Sequence, residues 1–88
     1  MKIVFTPEGW SDYQHWIDND PKMLRKIGRL VEDIRRSPFK GIGKVEPLKE
    51  NWQGWWSRRI NDEHRLIYRI TGAGADQQVE IARCRFHY

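Results

Sequence analysis

Two side chains of this arginine-rich sequence are candidates for acid–base catalysis. His87 has an imidazole, whose reference pKa of about 6.5 is close enough to neutrality for it to act as a proton donor. Glu46, which precedes Pro47, is a candidate base. Arginine side chains bind phosphate oxygens through planar guanidinium forks. An acid, a base and several arginines together favour cleavage of a phosphodiester.

RNA is the phosphodiester that these residue types suit, because it contains its own nucleophile. A base that removes the 2′-hydroxyl proton and an acid that protonates the leaving 5′-oxygen can break the chain without a metal ion or an external water molecule. Each such proton transfer contributes roughly 10² to 10⁴ in rate. Guanidinium groups stabilise the extra negative charge of the pentacovalent transition state. We therefore expect neither a metal nor another cofactor.

Length and charge agree with a small domain that binds a polyanion. The 88 residues have room for one domain, residues 1–88, with a modest core and a shallow site. The formal net charge is +4. Between Lys22 and Lys49, nine basic residues stand against three acidic ones. Such a surplus of positive charge attracts nucleic acid.

The cysteine and the amino-terminal stretch bear on location. Cys84 is the single cysteine, so it cannot form an internal disulfide, and we expect it to be a small buried apolar residue. Neither a CxxC motif nor a Cys/His pair at zinc spacing is present. The stretch MKIVFTPEGW lacks the apolar region of a signal peptide. We expect a cytoplasmic protein that makes no membrane contact.

Local signals predict the elements that must position these side chains. The run Lys2–Phe5 is typical of a short strand, and Thr6-Pro7-Glu8 is typical of a helix start. Asn19-Asp20-Pro21 ends this helix and caps a second one, which stops before Ser37-Pro38. The second helix has an apolar stripe formed by Met23, Ile27, Leu30, Val31 and Ile34.

The second half of the chain favours a loop followed by three strands. Residues 37–51 contain two prolines, two glycines and three lysines without a steady period, as a loop does. Strands are predicted over residues 55–60, 65–70 and 79 to about 86. The order β-α-α-β-β-β indicates an α+β fold. Two helices pack on one face of a small, mainly antiparallel sheet, and the other face stays open.

Alternation along these strands places arginines on the open face. The predicted core set of the middle strand is Leu66, Tyr68 and Ile70. The predicted open-face set is Ser57, Arg59, Arg65, Ile67, Arg69, Arg83, Arg85 and His87. Several guanidinium groups on one small surface repel each other unless anions lie among them. Phosphates, or the carboxylates of Glu46 and Glu63, would supply those anions.

Three separated segments resemble a known family, the YoeB-type messenger-RNA interferase toxins of the RelE superfamily. The segments are RRSPFKGIGKVEPLK at 35–49, GWWSRRINDEHRLIYRI at 54–70 and ARCRFHY at 82–88. The similarity runs over essentially the whole chain. It implies a microbial RNase T1-like fold and cleavage of messenger RNA in the ribosomal A site. The expected ends are a 2′,3′-cyclic phosphate and a 5′-hydroxyl.

The resemblance also implies roles for individual residues. Glu46 is similar in position to the base of the family, and Arg65 to the arginine that stabilises the phosphate. His87 and Tyr88 resemble the acid and a substrate-orienting or stacking group. Further positions that match the family's site are Lys49, as a phosphate contact, Arg59 and Glu63.

Partners are implied in the same way. The substrate would be messenger RNA on the ribosome. A Phd/YefM-like antitoxin would cover the site with an acidic carboxy-terminal segment, and the pair would bind operator DNA and repress its own operon. The free toxin would be a homodimer.

Two other classes of function remain open on the residues alone. A non-catalytic module could hold nucleic acid or an acidic partner by charge, but it would not need the set Glu46, Arg65, His87 and Tyr88. A toxin that poisons DNA gyrase, suggested by relatives of the fold, would use the same scaffold.

Single residues also have structural explanations. We expect Trp10 and Trp56 in the core, and His15 and His64 at the surface. Trp52 and Trp55 are candidates for contact with a base, an antitoxin or a second subunit.

Overall fold

The structure, a computed structural model, describes residues 1–86 and has an α+β fold. Its helices and strands are β1 (Lys2–Phe5), α1 (Pro7–Asn19), α2 (Pro21–Arg36), β2 (Glu46–Pro47), β3 (Trp56–Arg59), β4 (Arg65–Thr71) and β5 (Gln78–Arg83). Single turns of 3-10 helix occupy Glu50–Trp52 and Gly74–Asp76. The predicted fold class is confirmed. One further strand, β2, lies inside the segment that was expected to be a loop.

The two helices begin and end where the local signals indicate. The Thr6 hydroxyl accepts a hydrogen bond from the Gly9 amide at 3.1 Å, which caps α1. Asp20 ends α1 and also caps α2, because its carboxylate accepts from the Lys22 amide at 3.2 Å. No helix within residues 1–86 is long and apolar enough to cross a membrane.

The five strands form one sheet in the order β1-β5-β4-β3-β2. β1 runs parallel to β5, and the other neighbours are antiparallel, so the sheet is mainly antiparallel as predicted. The register of β4 and β5 shifts between Ile67 and Tyr68, which pair with Arg83 and Ile81. This irregularity leaves Ala82 without a counterpart in the ladder and changes the alternation of side chains at the end of β5.

The helix-facing side of the sheet contains the main core. The predicted apolar stripe of α2 is buried there. It packs with Trp16 of α1 and with strand residues that include Leu66, Tyr68, Val79 and Ile81. Cys84 is buried in the same core, as predicted, and burial raises the pKa of its thiol to about 12. The expectation for Trp10 was wrong: it is 50% exposed, because Trp16 is the tryptophan of α1 that enters the core.

The other face of the sheet is partly covered, whereas an open face was predicted. Leu48, Ile67 and Ala82 form a second buried cluster, against which Trp52 and Trp55 pack. The cover forms because the chain turns back after β2. The Leu48 amide donates to the Trp55 carbonyl at 2.9 Å, and the Trp55 amide donates to the Trp52 carbonyl at 3.0 Å. Ile67, which was expected on an open surface, is 1% exposed.

Candidate active site

Strand pairing brings three of the predicted site residues to the face of the sheet away from the helices. Glu46 of β2 is opposite Ser57 of β3, and Arg59 of β3 is opposite Arg65 of β4. Opposed residues point to the same face, and so do Ser57 and Arg59, which are two positions apart. Glu46 therefore lies about 7 Å along the strand direction from the pair of arginines.

Arg65 is oriented by the turn between β3 and β4. Its Nη1 donates to the Asn61 carbonyl at 2.7 Å and to the His64 carbonyl at 3.1 Å. These carbonyls fix the guanidinium group without neutralising its charge. Within the described part of the chain, no carboxylate forms an ion pair with Arg65. The remaining guanidinium donors suit a phosphate.

Arg59 adds a second positive charge beside the first. Its Nη1 lies 4.0 Å from the Asp62 carboxylate, and its side chain is 41% exposed. Its position is fixed at the backbone, where the Arg59 amide donates to the Gly43 carbonyl at 2.6 Å. Like charges directly opposite on neighbouring strands repel each other. The pair Arg59 and Arg65 therefore favours an anion between or above the two guanidinium groups.

Glu46 and Lys49 share an open groove at the edge strand β2. The groove has a volume of about 540 Å³, and its other lining residues are Pro47, Leu48, Glu50, Asn51 and Trp52. Both Glu46 and Lys49 are exposed, so the carboxylate and the ammonium group are accessible to a substrate. The groove thus places a candidate base and a candidate phosphate contact on one short segment.

Glu63 lies in the turn before β4, and its contact is with the neighbouring histidine. The Glu63 Oε1 is 3.5 Å from the His64 Nε2. The expectation that His64 lies at the surface was wrong, because the residue is 7% exposed. The Asn61 side-chain oxygen accepts from the amides of Glu63 and His64 at 2.9 and 2.8 Å, and this tight turn directs His64 inward.

Two arginines of the predicted open-face cluster are neutralised by carboxylates that were not expected there. The Arg69 Nε donates to Glu80 at 2.6 Å, and its guanidinium group also lies 4.5 Å from the Trp55 ring centroid. The Arg83 Nε donates to Asp12 of α1 at 2.8 Å. Arg83 is opposite Ile67 in the ladder, as expected for the open face, but at the end of β5 its side chain reaches the α1 carboxylate. Within residues 1–86, the members of the cluster without a hydrogen bond to a carboxylate are Arg59, Arg65 and Arg85, and these remain the candidate phosphate contacts.

The two residues predicted as acid and as orienting group, His87 and Tyr88, lie outside the described residues. The last described residue is Phe86, whose carbonyl accepts a hydrogen bond from the Arg65 amide at 3.0 Å. Among residues 1–86, no group of three or more His, Cys, Asp or Glu side chains is arranged to hold a metal ion.

Sequence reasoning missed a buried arginine next to the site. Arg58 is 0% exposed, and its guanidinium group donates to the Asp33 carboxylate at 2.5 Å. It also donates to the carbonyls of three residues between α2 and β2, namely Ser37, Lys40 and Ile42. The Tyr68 hydroxyl also binds this segment, because it donates a hydrogen bond to the Pro38 carbonyl at 2.6 Å. We call Arg58, Asp33 and Tyr68 the Arg58 latch.

Electrostatics within the Arg58 latch follow from burial and charge. The Arg58 guanidinium holds the pKa of the Asp33 carboxyl below its ordinary value, and a hydrogen bond from the Ile42 amide acts in the same direction. Burial raises the pKa of the Tyr68 hydroxyl. One signal in the sequence could have indicated the latch. Alternation puts Arg58 on the helix-facing side of β3, where an arginine requires a buried partner.

Comparison with known proteins identifies the relatives of this chain. Residues 5–88 match the family described as the YoeB-like toxin of bacterial type II toxin-antitoxin system. The toxin YoeB of Streptomyces coelicolor is 52% identical over 88 residues, which cover all of both chains. A YoeB/ParE toxin from Agrobacterium tumefaciens is 49% identical over the full length of both chains, with a TM-score of 0.96.

The structure of a further relative is known in two assemblies. YoeB of Staphylococcus aureus is 44% identical to this chain, and the matches cover 100% of this chain and 98% of that one. Its structures are a dimer, with a TM-score of 0.89, and a heterotetrameric YoeB-YefM toxin-antitoxin complex, with a TM-score of 0.88.

Proposed function

Since the chain belongs to the family of YoeB-like toxins of bacterial type II toxin–antitoxin systems, we propose that it is an endoribonuclease that cleaves messenger RNA in the ribosomal A site. The observation that carries this proposal is the common face of Glu46, Arg59 and Arg65. An accessible carboxylate next to two arginines supplies a base and a phosphate clamp in one place. On a surface that only bound nucleic acid, that carboxylate would repel the phosphates and weaken the binding.

The proposed reaction begins at the 2′-hydroxyl of the nucleotide before the cut. Glu46 takes the hydroxyl proton while the 2′-oxygen forms a bond to phosphorus. Arg65 and Arg59 stabilise the negative charge that develops on the phosphate oxygens, and Lys49 adds a further phosphate contact. The bond between phosphorus and the 5′-oxygen breaks, and His87 gives its proton to that oxygen. The products are a 2′,3′-cyclic phosphate and a 5′-hydroxyl.

Tyr88 and Glu63 have supporting roles in this scheme. An aromatic ring next to the acid suits stacking on a base of the substrate, so Tyr88 orients the nucleotide. Glu63 supports the site through its contact with His64. Neither residue is needed for the balance of protons, which Glu46 and His87 complete.

The proposed partners follow the same family. We infer a Phd/YefM-like antitoxin whose acidic segment covers the arginines of the site, since the chain has a net charge of +4. Toxin and antitoxin together bind operator DNA and repress their own operon. The free protein is a homodimer, and it acts in the cytoplasm, where its ribosomal target is.

Primer extension on a messenger carried by translating ribosomes tests the ribonuclease proposal. We expect discrete cuts at A-site codons, with cyclic-phosphate ends, for the wild type. Glu46→Gln and His87→Ala should lower the cleavage rate about 100-fold or more, because each removes one proton transfer. Glu8→Gln is the matched control: it makes the same change at an exposed glutamate of α1, and the cuts should persist.

Two results would contradict the proposal. One is a wild type that makes no cuts on ribosomes, and the other is a His87→Ala variant with the wild-type pattern of cuts. A salt-sensitive complex with RNA that never leads to cleavage would favour the binding module instead. Inhibition of DNA supercoiling by purified gyrase would favour the gyrase poison.

A further inference from the structure

His64 has a fixed place between α1 and the end of β5. Its ring packs edge-on against the Trp16 ring at a centroid distance of 4.8 Å. Trp16 is itself held, because its Nε1 donates to the Cys84 carbonyl at 2.9 Å. A buried histidine that is fixed in this way can orient whatever its nitrogens bind.

The ring of His64 binds the backbone of Phe86. The His64 Nδ1 accepts a hydrogen bond from the Phe86 amide at 2.7 Å. The amide of the next residue, Arg65, donates to the Phe86 carbonyl at 3.0 Å. Phe86 has a φ of 65°, in the left-handed region that a residue other than glycine keeps only where its surroundings impose it. We call these three residues the Phe86 clamp.

The clamp requires one protonation state of the imidazole. A ring nitrogen that accepts a hydrogen bond is unprotonated, so the ring is neutral and has its proton on Nε2. Glu63 favours this tautomer, because its Oε1 lies 3.5 Å from Nε2. Glu63 therefore acts on Phe86 through His64.

We propose that His64 is a positioning residue for the general acid. The His64 ring fixes the amide of Phe86 and the Arg65 amide fixes its carbonyl, so the two residues together set the direction in which the chain leaves Phe86 toward His87, a role that rests on the proposed function. Because Arg65 completes the clamp, the same contacts tie the acid to the arginine that binds the phosphate. A displacement of about 1 Å in such an arrangement costs about 100-fold in rate.

Two substitutions separate the effect of the His64 hydrogen bond from the effect of the side-chain volume. In His64→Asn, the side-chain oxygen takes the place of Nδ1 and keeps an acceptor for the Phe86 amide. In His64→Gln, the amide group reaches the place of Nε2 and leaves no acceptor at Nδ1. A hydrogen-exchange measurement on the protein alone reports the clamp. Single-turnover cleavage and binding on ribosomes report its effect on the reaction.

We expect His64→Gln to speed exchange of the Phe86 amide about tenfold or more. The same variant should lower the single-turnover cleavage rate about 100-fold while its affinity for ribosomes is unchanged. His64→Asn should restore the protection of the amide and most of the rate. In the wild type, nitrogen-15 spectra of the His64 ring should show the proton on Nε2, which tests the clamp without a substitution.

The inference is overturned if the wild-type ring has its proton on Nδ1. It is also overturned if the Phe86 amide keeps its wild-type exchange rate in His64→Gln, or if the Asn and Gln variants lose the same fraction of cleavage. If exchange and tautomer are as expected but the wild type cuts no messenger RNA, the clamp is supported and the proposed function fails.

Discussion

Arg65 makes two kinds of contact at the candidate site, and they involve different parts of the residue. Its backbone amide binds the Phe86 carbonyl, whereas its guanidinium group is oriented by the Asn61 and His64 carbonyls. Only the second kind of contact depends on the identity of the side chain. A planar fork that is already held by carbonyl groups loses little conformational freedom when it binds a phosphate.

Arg65→Lys should therefore lower cleavage without unfolding the protein. An ammonium group retains the charge but not the planar fork, so we expect the single-turnover rate on ribosomes to fall about 100-fold. Arg69→Lys is the matched control on the same strand and face, because Arg69 is already paired with Glu80. Equal cleavage rates in the two variants would show that the planar fork of Arg65 has no special role.

The segment between α2 and β2 is held by the Arg58 latch, and this segment leads directly to Glu46. Carbonyls of Ser37, Lys40 and Ile42 accept from one buried guanidinium group, so the connection has a defined path despite its irregular shape. The path also depends on Gly41, where a Cβ atom would overlap the Asp33 carboxylate. The latch thereby determines where β2, which contains Glu46, pairs with β3.

Asp33→Asn should destabilise the protein because it leaves the buried Arg58 charge without a carboxylate. Removing one partner of such a pair costs about 3 kcal/mol, and we expect a loss of this order in the free energy of unfolding. Urea denaturation measures it. Asp18→Asn changes an exposed carboxylate of α1 and should leave the urea midpoint in place. The role of the latch is refuted if both variants have the wild-type midpoint.

Stability should also fall in acid through the same carboxylate. The Arg58 guanidinium holds the pKa of Asp33 below 3.8, so the unfolded chain binds the proton more readily than the folded one. The contribution of Asp33 is complete above the unfolded pKa and is lost as pH falls through the lower, folded pKa. Between pH values of about 5 and about 3, the difference in unfolding free energy between wild type and Asp33→Asn should narrow. A difference that grows in acid would contradict this assignment.

The sequence predicts those elements that depend on local signals. The caps at Thr6 and Asp20 fix the helices, since each cap binds an amide within three residues of itself. β2 could not be predicted in this way, because Glu46 and Pro47 form a strand only through their pairing with Ser57 and Trp56.

The errors about faces have the same non-local origin. The ion pair of Arg83 with Asp12 was not expected, because the two residues are 71 positions apart in the chain. The cover of the second face depends on Leu48 meeting Ile67, 19 positions later in the chain. For the candidate site, Glu46, Arg59 and Arg65 were predicted to act together and do share a face. Alternation indicated the side of the sheet on which Arg58 lies but not its partners, and the burial of His64 had no local signal.

At the scale of the whole molecule, an apolar groove lies at the edge of the sheet that is opposite to Glu46. It has a volume of about 440 Å³, and its lining includes Ile3, Phe5, Trp10 and Tyr13, next to α2. Because β1 and β2 are the two edge strands, a partner in this groove leaves the candidate site accessible. Exposed apolar surface of this kind marks protein contacts. We place the contact of the proposed homodimer here.

Trp10→Glu should weaken the dimer. The Trp10 ring is half exposed and stacks on Tyr13 with a centroid distance of 5.9 Å, so it presents a rigid apolar surface to a partner. Burying a carboxylate there should raise the dimer dissociation constant about 30-fold or more, as sedimentation velocity would measure. Ile42→Glu makes the same change at an exposed apolar residue outside the groove and should leave the dimer intact. Equal dissociation constants in the two variants would place the contact elsewhere.

The position of β5 in the sheet has a consequence for the time at which this protein can act. Among the strands of residues 1–86, β5 is synthesised last, yet it lies between β4 and β1, which is synthesised first. The pairing of Phe5 with Ile81 closes nearly the whole chain into a loop, and pairings of this kind form late in folding. A nascent chain whose β5 is still inside the ribosome lacks part of its core and the Phe86 clamp. Under the proposed function, the chain therefore becomes able to cleave messenger RNA only after β5 has emerged from the ribosome.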